Sequence, residues 1–168
     1  MAYSANKTKL LYSFSGSSYD EIKLLMEVPE LGGAPEKIDV TTLSDSSKKY
    51  IPGIKDYGDL VFKFLYDNTS TTANYGILKY LEDNAQPDNP ASFKIEYPDG
   101  TAHVFDAIPS VKLDAGAING ALTFSATMML LNDIETINPY DDDDDIVIGE
   151  PDDDDDDDDE FEEDGDLS

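Results

Sequence analysis

The single histidine, His103, and the carboxylate pairs Asp56 with Asp59 and Glu82 with Asp83 are the residues whose type and spacing bear on chemistry. A histidine titrating near neutrality can carry a proton, and two carboxylates can divide acid and base duties as in a glycosidase. Neither reading gains support from its surroundings. His103 falls between Thr101 and Phe105 in a stretch that reads as a strand, where an ordinary half-exposed histidine is expected. In a chain with 38 Asp and Glu, neighbouring acids arise by chance. There is no cysteine, hence no thiolate nucleophile, disulfide framework or cysteine-liganded zinc. No nucleophile elbow, phosphate-cradling glycine loop, zinc-ligand spacing or EF-hand loop is present. The inventory predicts no catalytic site, no cofactor and no metal, so the chain is read as non-enzymatic.

Charge is distributed unevenly. In residues 1–140, 11 lysines stand against 19 acids, for a net charge of −8, while residues 141–168 hold 19 acids and no base. That break sets the expected boundary at Tyr140, with one domain over 1–140 and an appendage over 141–168. The appendage runs from Asp141 to Asp145, through Ile146-Val147-Ile148, and on through Asp152 to Asp159. Runs of like charge resist collapse, so a disordered, self-repelling acidic tail is expected. Mimicry of nucleic acid toward a basic partner and weak collection of divalent cations are the sharper alternatives. The N-terminus lacks an apolar leader, and the longest apolar run, 126–131, is too short for a bilayer. A soluble protein without a membrane partner is expected.

The positioning elements are mostly strands. Residues 9–14 read as a first strand and 22–28 as a second stopped by Pro29, which is expected to pair with 37–41 as a hairpin. Residues 59–66 form the strongest strand signal and are expected to lie centrally. Thr71 or Thr72 is expected to cap one helix over 73–84, with Ile77, Leu78 and Leu81 as its apolar stripe. Residues 92–97 and 101–108 around Pro98-Asp99-Gly100 read as a β-hairpin, with Pro109 confining the second arm to an edge or bulge. Residues 110–114 and 121–131 close the series as a further hairpin. The expected fold is mainly β: a β-sandwich or partly closed barrel with one flanking α-helix, plus the disordered acidic C-terminal tail.

Residues 42–58 break the strand pattern. This long connection carries Tyr50, Ile51, Ile54 and Tyr57, apolar side chains that a purely solvated loop does not need. A surface awaiting a partner is expected there. The candidate interface residues are Thr42, Leu43, Lys48, Lys49, Tyr50, Ile51, Pro52, Gly53, Ile54 and Tyr57.

Four segments in order carry a resemblance: Glu36-Lys37-Ile38-Asp39-Val40-Thr41-Thr42-Leu43-Ser44-Asp45, then Lys48-Lys49-Tyr50-Ile51-Pro52-Gly53-Ile54-Lys55-Asp56, then Asp59-Leu60-Val61-Phe62, and Gly120-Ala121-Leu122-Thr123-Phe124-Ser125-Ala126-Thr127. Residues 1 to about 138 thereby resemble the tail tube (major tail) proteins of siphophages, especially those infecting Gram-positive hosts. The resemblance implies a β-sandwich with a flanking helix that forms hexameric rings, stacked into a tube that delivers DNA. It implies further that the loop after Thr41-Thr42-Leu43 contacts neighbouring subunits or rings. The implied partners are copies of the chain itself, other tail proteins such as the tape measure and terminator, and passing DNA without specific binding. The implied location is the virion tail, assembled in the host cytoplasm. Because DNA carries one negative charge per about 1.7 Å of duplex, a subunit at −8 without arginine is expected to repel it and let it slide. A monomeric acidic binding module, or DNA mimic, acting through 141–168 is the competing expectation; Asp141, Asp145, Asp152 and Asp159 mark its acidic runs.

Overall fold

A computed structural model describes residues 2–140. The acidic stretch 141–168 lies outside the described residues. The elements in chain order are β1 (Lys9–Ser13), β2 (Asp20–Ile22), β3 (Leu25–Glu27), β4 (Lys37–Asp39), β5 (Tyr50–Pro52), β6 (Leu60–Leu65), α1 (Asn74–Asn84), β7 (Ala91–Glu96), β8 (Ala102–Leu113), β9 (Thr123–Leu130) and β10 (Glu135–Ile137). The protein is mainly β with one helix. Eight strands form an antiparallel sheet in the order β2-β1-β7-β8-β9-β6-β3, with β10 beside β8. The remaining two, β4 and β5, pair only with each other.

Alternation builds the core. Leu60, Phe62 and Phe64 of β6, Ala91, Phe93 and Ile95 of β7, and Phe124, Ala126 and Met128 of β9 all point inward and are fully buried. Phe105 joins them from β8 and Leu10 from β1. Phe64 stacks on Phe124 with ring centroids 5.2 Å apart, and Phe93 on Phe105 at 5.8 Å. Each such buried ring contributes about 1.5–3 kcal/mol over an exposed one. Helix α1 closes this core with Leu78 and Leu81, while Ile77 is half-buried, so the expected stripe packs inward.

Several expectations are corrected. Residues 22–28 do not form one strand: β2 pairs with β1 and β3 with β6, because Leu24 turns the backbone at φ 63°. The two ends of the hydrogen-bonded order are therefore consecutive in the chain, although the sheet itself is not closed. The strand over 37–41 pairs with β5, inside the segment expected to be a loop, and not with residues 22–28. The strong strand β6 is flanked on both sides but lies next to the edge strand β3. Neither Thr71 nor Thr72 caps α1; the Tyr75 N–H instead donates to the Asp67 carbonyl at 3.2 Å.

Pro109 does not end its strand. β8 pairs with β7 from Ala102 to Ala107, then continues along β9 from Ala107 to Leu113. Two residues beyond Pro109, the Val111 N–H points away from β9 and donates to Glu82 Oε1 at 3.4 Å. Pro109 shares that orientation, so its missing donor faces an edge that β7 has already left. The β7–β8 turn forms as expected, with Gly100 at φ 90° and Asp99 Oδ1 accepting from the Thr101 N–H at 3.0 Å. Strand β10, unforeseen from the sequence, continues the β9 side of β8.

Candidate assembly interface

The segment that the sequence left unexplained folds as an arm. β4 and β5 match Lys37 with Pro52, Ile38 with Ile51 and Asp39 with Tyr50. The ladder is prolonged at the base by Gly53 N–H donating to Glu36 O at 2.6 Å, and toward the tip by Val40 N–H donating to Lys49 O at 3.0 Å. Gly53 eases the close pairing there, since a Cβ would stand 3.0 Å from Glu36 O and 3.4 Å from Ile38 Cδ1. Lys37 Nζ lies 6.0 Å from the centre of the Tyr50 ring.

The tip is organised by Asp45. Its Oδ2 accepts from the Thr42 N–H and Oγ1, both at 2.9 Å, and its Oδ1 pairs with Lys49 Nζ. These donors, Lys49 first and then the Thr42 amide and hydroxyl, hold the Asp45 carboxyl below its ordinary pKa. Asp39 is held low in the same sense by the Thr41 hydroxyl and amide. The tip is thus a bonded turn rather than a loose loop.

The arm presents several apolar side chains outward among its polar ones. Leu43 and Ile54 are fully exposed, at 109 % and 91 %, and Tyr50, Ile51 and Ile38 are about half exposed, at 49 %, 48 % and 47 %. Thr42, Lys48, Lys49 and Pro52 are also exposed, while Gly53 and Tyr57 are partly covered. The structure therefore brings the candidate residues 42–43 and 48–54 onto one projecting hairpin. Tyr57 is set apart at its base.

At that base, residues 55–59 and 128–133 part from one another and line a cleft of about 800 Å3. The sequence reading named Tyr57 as an interface candidate and held Asp56 and Asp59 as a chance pair and as part of the resemblance segments, but did not single out Met129, Leu131 or Asp133. The register explains the cleft: β6 and β9 are matched from Leu60–Met128 inward, and beyond Met128 the β9 chain follows β8 alone. A smaller cavity of about 190 Å3 between the arm's root and the sheet is lined by Gly33, Tyr57, His103 and Thr136 among others.

Three of the groups weighed for acid–base chemistry are engaged by structural neighbours. His103 Nδ1 lies 3.0 Å from Thr136 Oγ1 and its ring meets Tyr97 edge-on, while burial pushes its pKa down. Glu82 is engaged with Lys79 Nζ at 2.6 Å and accepts from the Val111 N–H at 3.4 Å. Asp56 Oδ1 accepts from the Gly58 N–H at 2.8 Å. Among the described residues no group of three His, Cys, Asp or Glu is placed to hold a metal ion. No helix among them is long and apolar enough to cross a membrane.

Comparison with solved structures places the same fold in three assemblies. The chain superposes on a component of the anti-feeding prophage (AFP) baseplate, 6-fold symmetrised, with TM-score 0.61 and 10% identity over 82% of this chain and 97% of that one. It superposes on a component of the tail of an empty GTA particle with C6 symmetry, with TM-score 0.62 and 15% identity over 82% and 100% of the two chains. A third match, to the PVC sheath/tube terminator of an extracellular contractile injection system in the extended state, has TM-score 0.64 and 10% identity over 82% and 98%. At such identities the likeness is one of fold. No curated protein sequence matches the chain. The family model described as "Phage tail tube protein, TTP" matches residues 11–138, a span that runs from β1 through the arm to β10. With that span covering most of the sequence, the chain belongs to the phage tail tube protein family.

Proposed function

We propose that this chain is the repeating subunit of a phage tail tube: copies join through the arm into hexameric rings, and the rings stack into a conduit for DNA. The observation that carries the reading is the projecting hairpin on which Leu43 and Ile54 are fully exposed and Tyr50 and Ile51 about half exposed in the single chain. Exposed apolar groups held on an ordered, hydrogen-bonded frame are a surface prepared for burial against a partner. Six copies per ring is carried over from the six-fold symmetry of two assemblies that contain the same fold. The ordered short motifs favour a siphophage of the Gram-positive-host type, whereas the fold neighbours include contractile systems, so that assignment rests on sequence alone. Tape measure and terminator proteins are the expected tail partners, the virion tail the location and the host cytoplasm the place of assembly. The net charge of −8 over residues 1–140 favours passage of DNA without specific binding.

Negative-stain microscopy and sizing of the purified protein test the reading. Rings or tubes are expected, and their loss is expected when Tyr50 and Ile51 are both replaced by Ser in a chain that still folds. Compact monomers at high concentration would instead favour a monomeric acidic module acting through residues 141–168.

A further inference from the structure

We propose that the tip of the arm docks, in a second copy of the chain, into the cleft at the base of that copy's arm. The inference rests on the self-assembly reading above and adds the receiving surface to it.

Both surfaces carry exposed apolar groups, and their unpaired charges are of opposite sign. At the tip Leu43 is fully exposed, and Lys48 has no ion-pair partner among the described residues, its neighbour Lys49 being engaged by Asp45. The cleft has an apolar side formed by Met129 and Leu131, exposed at 55 % and 37 %. Asp56, Asp59 and Asp133 also line it, none of them in an ion pair among the described residues, against the single cation Lys55. An apolar and cationic tip meeting an apolar and acidic cleft satisfies both, and at about 800 Å3 the cleft has room for a leucine and the turn that bears it.

Geometry dictates that the occupant comes from another copy. The arm's ladder holds it extended from Glu36–Gly53 at the base to Val40–Lys49 near the tip, and the cleft wall begins at Lys55, just past the base. A paired hairpin cannot fold its tip onto its own root. Contact of tip with base therefore joins two different patches on two copies, a heterologous contact that leaves each copy with one free tip and one free cleft. Such a contact propagates, closing into a ring when the rotation allows and otherwise running on as a helix.

A charge exchange and a cross-link test this. Lys48→Glu and Asp133→Lys are each expected to lower the polymerised fraction several-fold at low salt, and the double variant to restore it. Because the chain has no cysteine, Leu43→Cys combined with Met129→Cys is expected to give, on treatment with a short bis-maleimide, a ladder of covalent oligomers. Each single variant should stop short of one, and circular dichroism should confirm that every variant keeps its fold. Tubes that form while neither rescue nor ladder appears would overturn the cleft assignment, pointing to another tail protein or to a cation there, and would leave the self-assembly reading standing. Failure of the wild-type chain to form any oligomer would overturn both.

Discussion

Asn74 and Lys23 are 51 positions apart in the chain and are joined by a hydrogen bond of 3.0 Å from Asn74 Nδ2 to the Lys23 carbonyl. The same nitrogen donates to the Leu65 carbonyl at 2.7 Å, and Asn74 Oδ1 accepts from the Asp67 N–H at 3.2 Å. One buried amide, the first residue of α1, thus fastens the helix to the end of β6 and to the corner where β2 becomes β3. That corner is where the two ends of the sheet order meet in the chain.

Asn74→Ala should destabilise the domain by about 2 kcal/mol, because it removes the part-buried hydrogen bonds to the Lys23 and Leu65 carbonyls and from the Asp67 amide. Asn74→Asp should do no better, since it replaces both donated bonds with a charge facing two carbonyl oxygens. Chemical denaturation measures the loss. A change below about 0.5 kcal/mol would mean that water takes over these bonds and that the corner is not held by this residue.

Gly53→Ala should weaken assembly while sparing the domain. The added Cβ would stand 3.0 Å from the Glu36 carbonyl, which is backbone and yields less readily than a side chain, so the Glu36–Gly53 pairing at the base of the arm should be strained. The arm is hydrogen-bonded as a separate two-stranded sheet and β4 and β5 bury none of their residues, so global stability should shift by less than about 1 kcal/mol. Denaturation midpoint and tube yield, measured side by side, separate the two effects. Equal loss in both would place the arm inside the cooperative unit.

The parts of this molecule legible in its sequence are those whose signal is local. Alternation in β6, β7 and β9 and the Pro98-Asp99-Gly100 turn identify strands and their partners within a few residues, and Leu78 and Leu81 orient the helix from its own spacing. The break at Leu24 was illegible, because a leucine at positive φ is held there by tertiary bonds such as Leu65 N–H to Leu24 O, at 3.0 Å. Strand β5 was hidden for a related reason: Tyr50-Ile51-Pro52 shows no alternation, and its strand character comes from pairing with β4. Met129, Leu131 and Asp133 belong to the cleft only because the β9 chain leaves β6 after Met128, and Asn132 then bonds Asp106 on β8 through its side chain. No feature of residues 128–133 by themselves announces that departure.

Acid should loosen the arm's tip before it unfolds the domain. The Asp45 carboxyl has its pKa depressed by Lys49 and Thr42, so the stability it contributes is fully present above the unfolded carboxylate value of about 4 and is lost as pH falls through the lower folded value. The Thr42 amide should therefore keep its protection from hydrogen exchange, after correction for intrinsic rates, from neutrality down to about pH 4 and lose it below. Asp45→Asn should leave the tip loose at every pH. If the protection of Thr42 in the wild type does not change with acid, Asp45 is not what orders the turn.

Removal of residues 141–168 should leave folding and assembly intact and change how finished tubes meet one another. The family match ends at residue 138, so the interface proposed here lies within what remains. The deletion takes 19 of the 38 acidic residues and no base, moving the formal charge per subunit from −27 to −8. Repulsion between tubes falls with that charge, so truncated tubes should associate side by side at low ionic strength more readily than full-length ones. The difference should fade as salt rises, because the screening length is already about 10 Å at 0.1 M. Light scattering against salt concentration, with microscopy to distinguish bundles from longer tubes, reads the effect. A truncated chain that folds but no longer forms rings would transfer the assembly role from the arm to the acidic segment, since no other part of the sequence is missing from it.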